Sequence, residues 1–234
     1  MKRTIVVIGL GAAALALSAC GSLQSAGAPT TQARALSGVH AVALQTSGDL
    51  SILIGDTEGL TVSAGANQLD HLTSAVVDGT LVLGAEPNQS YDGSISYTLT
   101  VPSLDAIEVE GSGNVNGAGV LSGQARLTMS GSGSATLSDL ELTNLTADLS
   151  GSGDAQVGGS SDASTVDVSG SGDYDGSGLT TGRTTVSSIG SGQTRVNVTE
   201  HLSATVNGSG DVTYAGNPAQ VDRGGAGSGG VVAG

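Results

Sequence analysis

The chain has 234 residues, of which 39 are Gly, with a formal net charge of −14, one Cys, no Phe and no Trp. Seven Lys and Arg against 21 Asp and Glu cannot build a basic patch, which excludes nucleic acid as a partner, and Gly does not fall at every third position, which excludes a collagen triple helix. The hydrophobic 38% is mostly Leu, Val, Ile and Ala, residues that suit a pleated, repetitive core better than one built on a few large anchors.

Residues 1–19 read as a signal peptide. Lys2 and Arg3 supply its positive start, and the apolar stretch from Thr4 to Leu17 is too short to span a bilayer comfortably. The stretch ends in Leu17-Ser18-Ala19-Cys20, which resembles the lipobox of bacterial lipoproteins. That resemblance implies that Cys20 is the lipid-attachment residue and the mature N-terminus. As the sole Cys, Cys20 has no disulfide partner within the chain. Loss of Lys2 and Arg3 would take the charge from −14 to −16, so anionic headgroups would repel the mature body and the lipid would have to hold it at the membrane. The rest of residues 20–37 is small and polar and reads as a flexible tether.

Residues 38–234 read as one all-β domain. In 38–102, Leu50, Ile52 and Ile54 alternate, as do Ile95, Tyr97, Leu99 and Val101, and Pro102 closes the last strand. Asp78-Gly79 between Ala75-Val76-Val77 and Thr80-Leu81-Val82-Leu83 is a two-residue hairpin signal. This portion is expected to be sheet-rich, partly antiparallel, and to cap the first coil of the repetitive segment 103–232. Ser47-Gly48-Asp49 within it partly echoes the phrase that dominates that segment.

The phrase is Gly-Ser-Gly, starting at Gly111, Gly131, Gly151, Gly170, Gly190, Gly208 and Gly227, so at intervals of 18 to 20 residues. A fixed period near twenty marks a repeat architecture. The flanks keep register. Two residues before each triplet stand Val109, Met129, Leu149, Val168, Ser188 and Val206; four before, Ile107, Leu127, Ala147, Val166, Val186 and Ala204. On the far side Val115, Ala135, Ala155, Tyr174, Thr194 and Val212 recur, then Gly117, Leu137, Val157, Gly176, Val196 and Tyr214. Alternation at period two predicts strands, so each repeat is read as one coil of a parallel solenoid of about 20 residues per turn, roughly 30–40 Å long in all. A coil cannot bury its core face alone and depends on its neighbours. The triplets are expected at corners or kinks, where Gly permits positive φ or close backbone approach; the alternative is a flat strand with both Gly facing inward and Ser outward.

Candidate chemistry is sparse. Just past the triplets stand Asn114, Ser134, Asp154, Asp173, Gln193 and Asp211. Stacked coils would make them a polar ladder of Asx-type turns. The alternative is a calcium site along Asp154, Asp173 and Asp211, since GSGD is similar to the GGxGxD of calcium-binding rolls, although those repeat every nine residues. Asp154, Asp173 and Asp175 also offer paired carboxylates for a polysaccharide lyase or hydrolase, against which stands the near absence of aromatic platforms. His40, His71 and His201 have no second His or Cys at metal-ligand spacing, and no GxSxG occurs. No catalytic residue, metal or cofactor is assigned.

Several segments together resemble the GIN domain family of bacterial envelope proteins, the "putative auto-transporter adhesin" heads. They are Thr100-Val101-Pro102-Ser103-Leu104 leading to Ile107-Glu108-Val109-Glu110-Gly111-Ser112-Gly113, the spaced triplets, HLSATVNGSGDVTYAG at 201–216, and Asn217-Pro218 before the last triplet. The resemblance covers 38–232 and implies a right-handed parallel β-helix. It carries no catalytic residues. The expectation is a non-catalytic, membrane-anchored envelope lipoprotein on the extracytoplasmic side, binding or scaffolding an envelope or extracellular ligand; its oligomeric state is left open.

Overall fold

The repeating alternation of apolar residues is realised as a stack of parallel strands wound into a β-solenoid of about 20 residues per turn. The computed structural model describes residues 27–87 and 93–234; the predicted signal peptide and Cys20 lie outside them. The N-terminal part holds β1 (Pro29–Ala35), β2 (Ala41–Leu44), β3 (Asp49–Ile54), β4 (Gly59–Gly65), the one-turn α1 (Ala66–Leu69), β5 (Leu72–Val77), β6 (Thr80–Ala85) and β7 (Ser96–Val101). The repeats hold β8 (Leu104–Val109), β9 (Val115–Ala118), β10 (Leu121–Met129), β11 (Ala135–Leu149), β12 (Ala155–Val168), β13 (Tyr174–Ser188), β14 (Thr194–Val206), β15 (Val212–Ala215), β16 (Gln220–Gly224) and β17 (Val231–Ala233).

Each long strand runs through one coil. Its first residues pair with the coil below just after the triplet (Ala135↔Val115), and its last residues pair just before the next one (Leu149↔Val168). Register shifts between Leu137 and Leu140 and between Gly123 and Gln124 divide the coil into shorter runs. The inward columns match the sequence pattern: Ile107, Leu127, Ala147, Val166, Val186 and Ala204 are all buried. Tyr174 is the large residue of its column and lies between Ala155 and Thr194. Gly176, two residues on, gives it room: a Cβ there would sit 2.7 Å from Tyr174 Cε1.

The triplets are superposed at a corner. None of their glycines has positive φ, so the close-approach reading is the one the chain uses. A Cβ on Gly151 would stand 2.1 Å from the Gly131 carbonyl oxygen. That proximity lets each triplet serine from Ser132 onward donate its N–H to the carbonyl oxygen of the first glycine of the triplet below, as Ser171 does to Gly151 O and Ser191 to Gly170 O, both at 3.0 Å.

The N-terminal part caps the stack and also joins it. β2 and β3 pair in parallel with β8 and β9 (Leu44↔Val109, Leu50↔Val115), which puts Thr46-Ser47-Gly48 directly beneath Gly111-Ser112-Gly113. The partial echo is therefore the lowest rung of the column. β6 and β7 stack below β2 and β3, again in parallel. The Asp78-Gly79 hairpin joins β5 to β6 with φ of 49° and 82°, the left-handed pair that a type I′ turn requires.

Two expectations are corrected. Residues 29–35, read as tether, form β1, antiparallel to β4 from Pro29↔Gly65 to Ala35↔Gly59. The strand is exposed on both faces and so lacks apolar alternation; the backbone ladder and Arg34 hold it, with the guanidinium donating to Leu69 O at 3.1 Å, Leu72 O at 2.9 Å and Ser74 Oγ at 2.9 Å. Ile54, read as the third member of an inward set, is 52% exposed. β3 outruns its partner: the last pair with β9 is Ile52↔Gly117, and beyond it β7 alone of the described strands lies alongside.

Ser188 lies between Val168 and Val206, and Thr194 between Tyr174 and Val212, in inward columns, and both hydroxyls are buried without a hydrogen-bond partner among the described residues. An orphaned buried hydroxyl costs about 1–3 kcal/mol, whereas an apolar group of the same shape carries no such penalty. Thr194→Val is expected to raise Tm by about 2–4 °C for each kcal/mol recovered in a domain of this size. A melting temperature equal to or below that of the parent chain contradicts this.

Candidate functional site

The face just past the triplets carries two outward columns. The first is Asp49, Asn114, Ser134, Asp154, Asp173, Gln193 and Asp211. Here side-chain oxygens accept from the backbone of the coil above: Asp49 Oδ1 from Asn114 N–H at 3.2 Å, Asn114 Oδ1 from Ser134 N–H at 3.1 Å, and Asp154 Oδ1 from Asp173 N–H at 2.8 Å. Asp173 Oδ1 accepts from Gln193 N–H at 2.6 Å, and Asp211 Oδ1 from Gly230 N–H at 2.7 Å. The predicted polar ladder exists, but its bonds run between coils instead of closing local Asx turns. Strand spacing of about 4.8 Å brings the next coil's N–H within reach of a short Asp or Asn side chain. Asp154 and Asp173 coexist because an N–H donor faces each of them.

The second column is Ser51, Asn116, Thr136, Gln156, Asp175, Arg195 and Thr213, aligned rung by rung. Between the columns lies a shallow groove of about 350 Å³, whose lining includes Thr136, Asp154, Gln156, Asp173, Asp175 and Arg195. The carboxylates predicted as an acid–base pair do meet here, beside an Arg from the next coil. Asp175 accepts from Ser177 Oγ at 2.6 Å and from Ser177 N–H at 3.0 Å. These bonds, helped by the Arg195 charge, hold its carboxyl below the usual carboxylate range despite partial desolvation. A carboxyl kept ionised at neutral pH is an acceptor, whereas general-acid glycoside cleavage needs one held protonated. A carboxyl that is pushed up, Glu108, lies away from the groove on the strand before the first triplet; partial burial and the adjacent Glu110 raise it.

Among the described residues, no group of three or more His, Cys, Asp and Glu converges to hold a metal ion. His40 is exposed beside the hairpin turn, His71 pairs with Glu86 at 2.9 Å, and His201 pairs with Asp222 at 2.8 Å. The lipid-attachment prediction at Cys20 falls outside the described residues. Arg195 was not singled out from sequence; its distance of 20 residues from Asp175, one coil period, was the available signal. The middle serines of the triplets, from Ser112 to Ser228, form a further exposed column along the corner.

The family described as "putative auto-transporter adhesin, head GIN domain" matches residues 39–218. No curated protein matches the chain. Among solved structures, a "putative adhesin" of Bacteroides fragilis is 22% identical with a TM-score of 0.84, covering 88% of this chain and 97% of its own. A "putative lipid binding protein" of Parabacteroides distasonis is 24% identical with a TM-score of 0.71 over the same shares. A "putative adhesin" of that species is 21% identical with a TM-score of 0.68, again over 88% and 97%. At these identities the likeness is one of fold.

Proposed function

The chain belongs to the head GIN domain family, and from that premise we propose that it is a non-catalytic envelope lipoprotein, held through Cys20, that presents its solenoid as a rigid binding surface. The observation that carries the reading is the state of the groove's acids. Asp154, Asp173 and Asp175 each commit an oxygen to a backbone N–H, so they build the coils and are held in place as acceptors along the groove. Their neighbours Thr136, Gln156 and Arg195 stand outward in one column, with Asp175 on the rung between Gln156 and Arg195, and supply donors at fixed positions. Rigid parallel strands set these groups in place before any ligand arrives, which lowers the ordering cost of binding. The anchor rests on the lipobox resemblance, and the adhesin role on the family's description.

A photo-crosslinker placed at Gln156 in intact cells is expected to capture a partner that a crosslinker at Ser160, also exposed but past the bend of the coil, does not capture. Equal capture at both positions, or none, removes the binding face. Cleavage of a polysaccharide by the purified chain, lost in Asp173→Asn, would turn the reading to catalysis. Independently, Cys20→Ser is expected to shift the chain from the membrane fraction to the soluble one; retention in the membrane fraction removes the anchor.

A further inference from the structure

The two ends of the solenoid are finished differently. At the N-terminal end, antiparallel β4, β1 and β5 lie against the parallel stack, and Leu60, Val62, Ala64, Leu69 and Leu72 close the core with apolar side chains. At the other end, among the described residues, β16 pairs only with β14, and β17 only with β15. Each therefore leaves one row of backbone donors and acceptors unpaired, an open template for another strand.

The register shows what stands over the core at that end. Ala204 pairs with Arg223, so Arg223 occupies the inward column of Ile107, Leu127, Ala147, Val166, Val186 and Ala204. A cation replaces an aliphatic residue in the last rung only. Its guanidinium lies 5.7 Å from the ring centroid of Tyr214, and Nη2 donates to the Tyr214 hydroxyl at 2.8 Å. Tyr214 is itself the last large residue of its inward column, above Val196. Arg223 stays exposed, as a charge at an open end can.

We propose that Arg223, stacked on Tyr214, is an end stop that keeps the open edge of the solenoid from pairing with a second copy of this chain. Any strand laid on β16 and β17 would cover the guanidinium, and a buried cation without an anion is strongly disfavoured. Inward-pointing charge is a recognised way to blunt a strand edge. The partner excluded is a like end: at the N-terminal end the antiparallel layer already covers the core, and its outermost strand β1 is exposed on both faces with no core to extend, so two C-terminal edges would meet in an isologous, antiparallel pair.

The test compares full-length wild type with Arg223→Leu and Arg223→Lys by light scattering over a concentration series, with circular dichroism to check the fold. Arg223→Leu is expected to reach about twice the mass of wild type as concentration rises, while Arg223→Lys, which keeps the charge, follows wild type. Equal mass for Arg223→Leu and wild type overturns the proposal. Amide exchange on wild type keeps it falsifiable if Arg223→Leu does not fold. The amides of β16 and β17 that face the open edge should exchange at a rate independent of concentration; protection that grows with concentration shows the edge already paired and overturns it.

Discussion

Gly190→Ala is expected to abolish the cooperative fold. A Cβ at this position would stand 1.7 Å from the Gly170 carbonyl oxygen, far inside any real contact. The opposing atom is backbone, and it accepts the Ser191 N–H at 3.0 Å, so it cannot swing away without breaking the ladder. Nor is there slack below: Gly170 is as closely spaced on the next coil, where a Cβ on it would stand 1.9 Å from Gly151 O, and the Ser171 N–H bond to Gly151 O at 3.0 Å fixes that spacing. The strain passes down the column. Overpacking of an ordinary core costs about 1–3 kcal/mol. Here both sides of the clash are fixed backbone, and the loss belongs to the exceptional class above about 4 kcal/mol. Gly178→Ala is the control: its φ is not positive and its Cβ would meet nothing closer than the Gly158 Cα at 3.5 Å. Thermal melting followed by circular dichroism should show no transition for Gly190→Ala and one near wild type for Gly178→Ala. A Gly190→Ala chain that melts within a few degrees of wild type would mean that the corner is not close-packed.

Tyr174→Ala is the second large effect. Tyr174 is 1% exposed and fills the space that Gly176 leaves open. Removal of a buried aromatic ring costs about 3–5 kcal/mol. The ring supplies nearly all of that, so Tyr174→Phe should stay within about 1 kcal/mol of wild type. Burial, with Asp175 adding to it, pushes the phenol well above the ordinary tyrosine range. Unfolded tyrosine titrates near 10. A folded pKa above that value means the stabilisation is complete below about pH 10 and is lost as pH rises beyond it. Denaturant midpoints measured from pH 9 to 11 should therefore fall more steeply for wild type than for Tyr174→Phe. Parallel slopes would show that Tyr174 is not the buried phenol that alkali must ionise.

The groove was half legible in the sequence. Asp154, Asp173 and Asp175 stood out as acids near a repeating phrase, and the coil period placed them on neighbouring rungs. Their role was not legible, because the partner of each carboxylate is a backbone N–H, which has no letter in the sequence. Asp173 bonds to Gln193 N–H whatever side chain residue 193 carries. Arg195 gained its place beside Asp175 only through the pairing of β13 with β14.

β1 shows the opposite failure. Its residues have no apolar period to find, since both faces meet solvent and the edge of β4, the Arg34 guanidinium and the Thr31–Ser63 hydroxyl pair hold them. Ile54 has the right period yet sits past the end of β9, where no described strand covers it on that side.

Period and local turn chemistry were therefore determined by the sequence alone. A parallel hydrogen-bonded stack must bring equivalent residues together, so the spacing of Gly-Ser-Gly and its flanks already specified coil length, inward columns and the superposition of the triplets, and Asp78-Gly79 specified its hairpin. Tertiary structure decided how the glycines serve the corner, where the polar ladder sends its bonds, which regular positions remain uncovered and where the core ends at Arg223. Each of those depends on the distance between atoms of different coils, a quantity that periodicity implies on average but does not assign to any one rung.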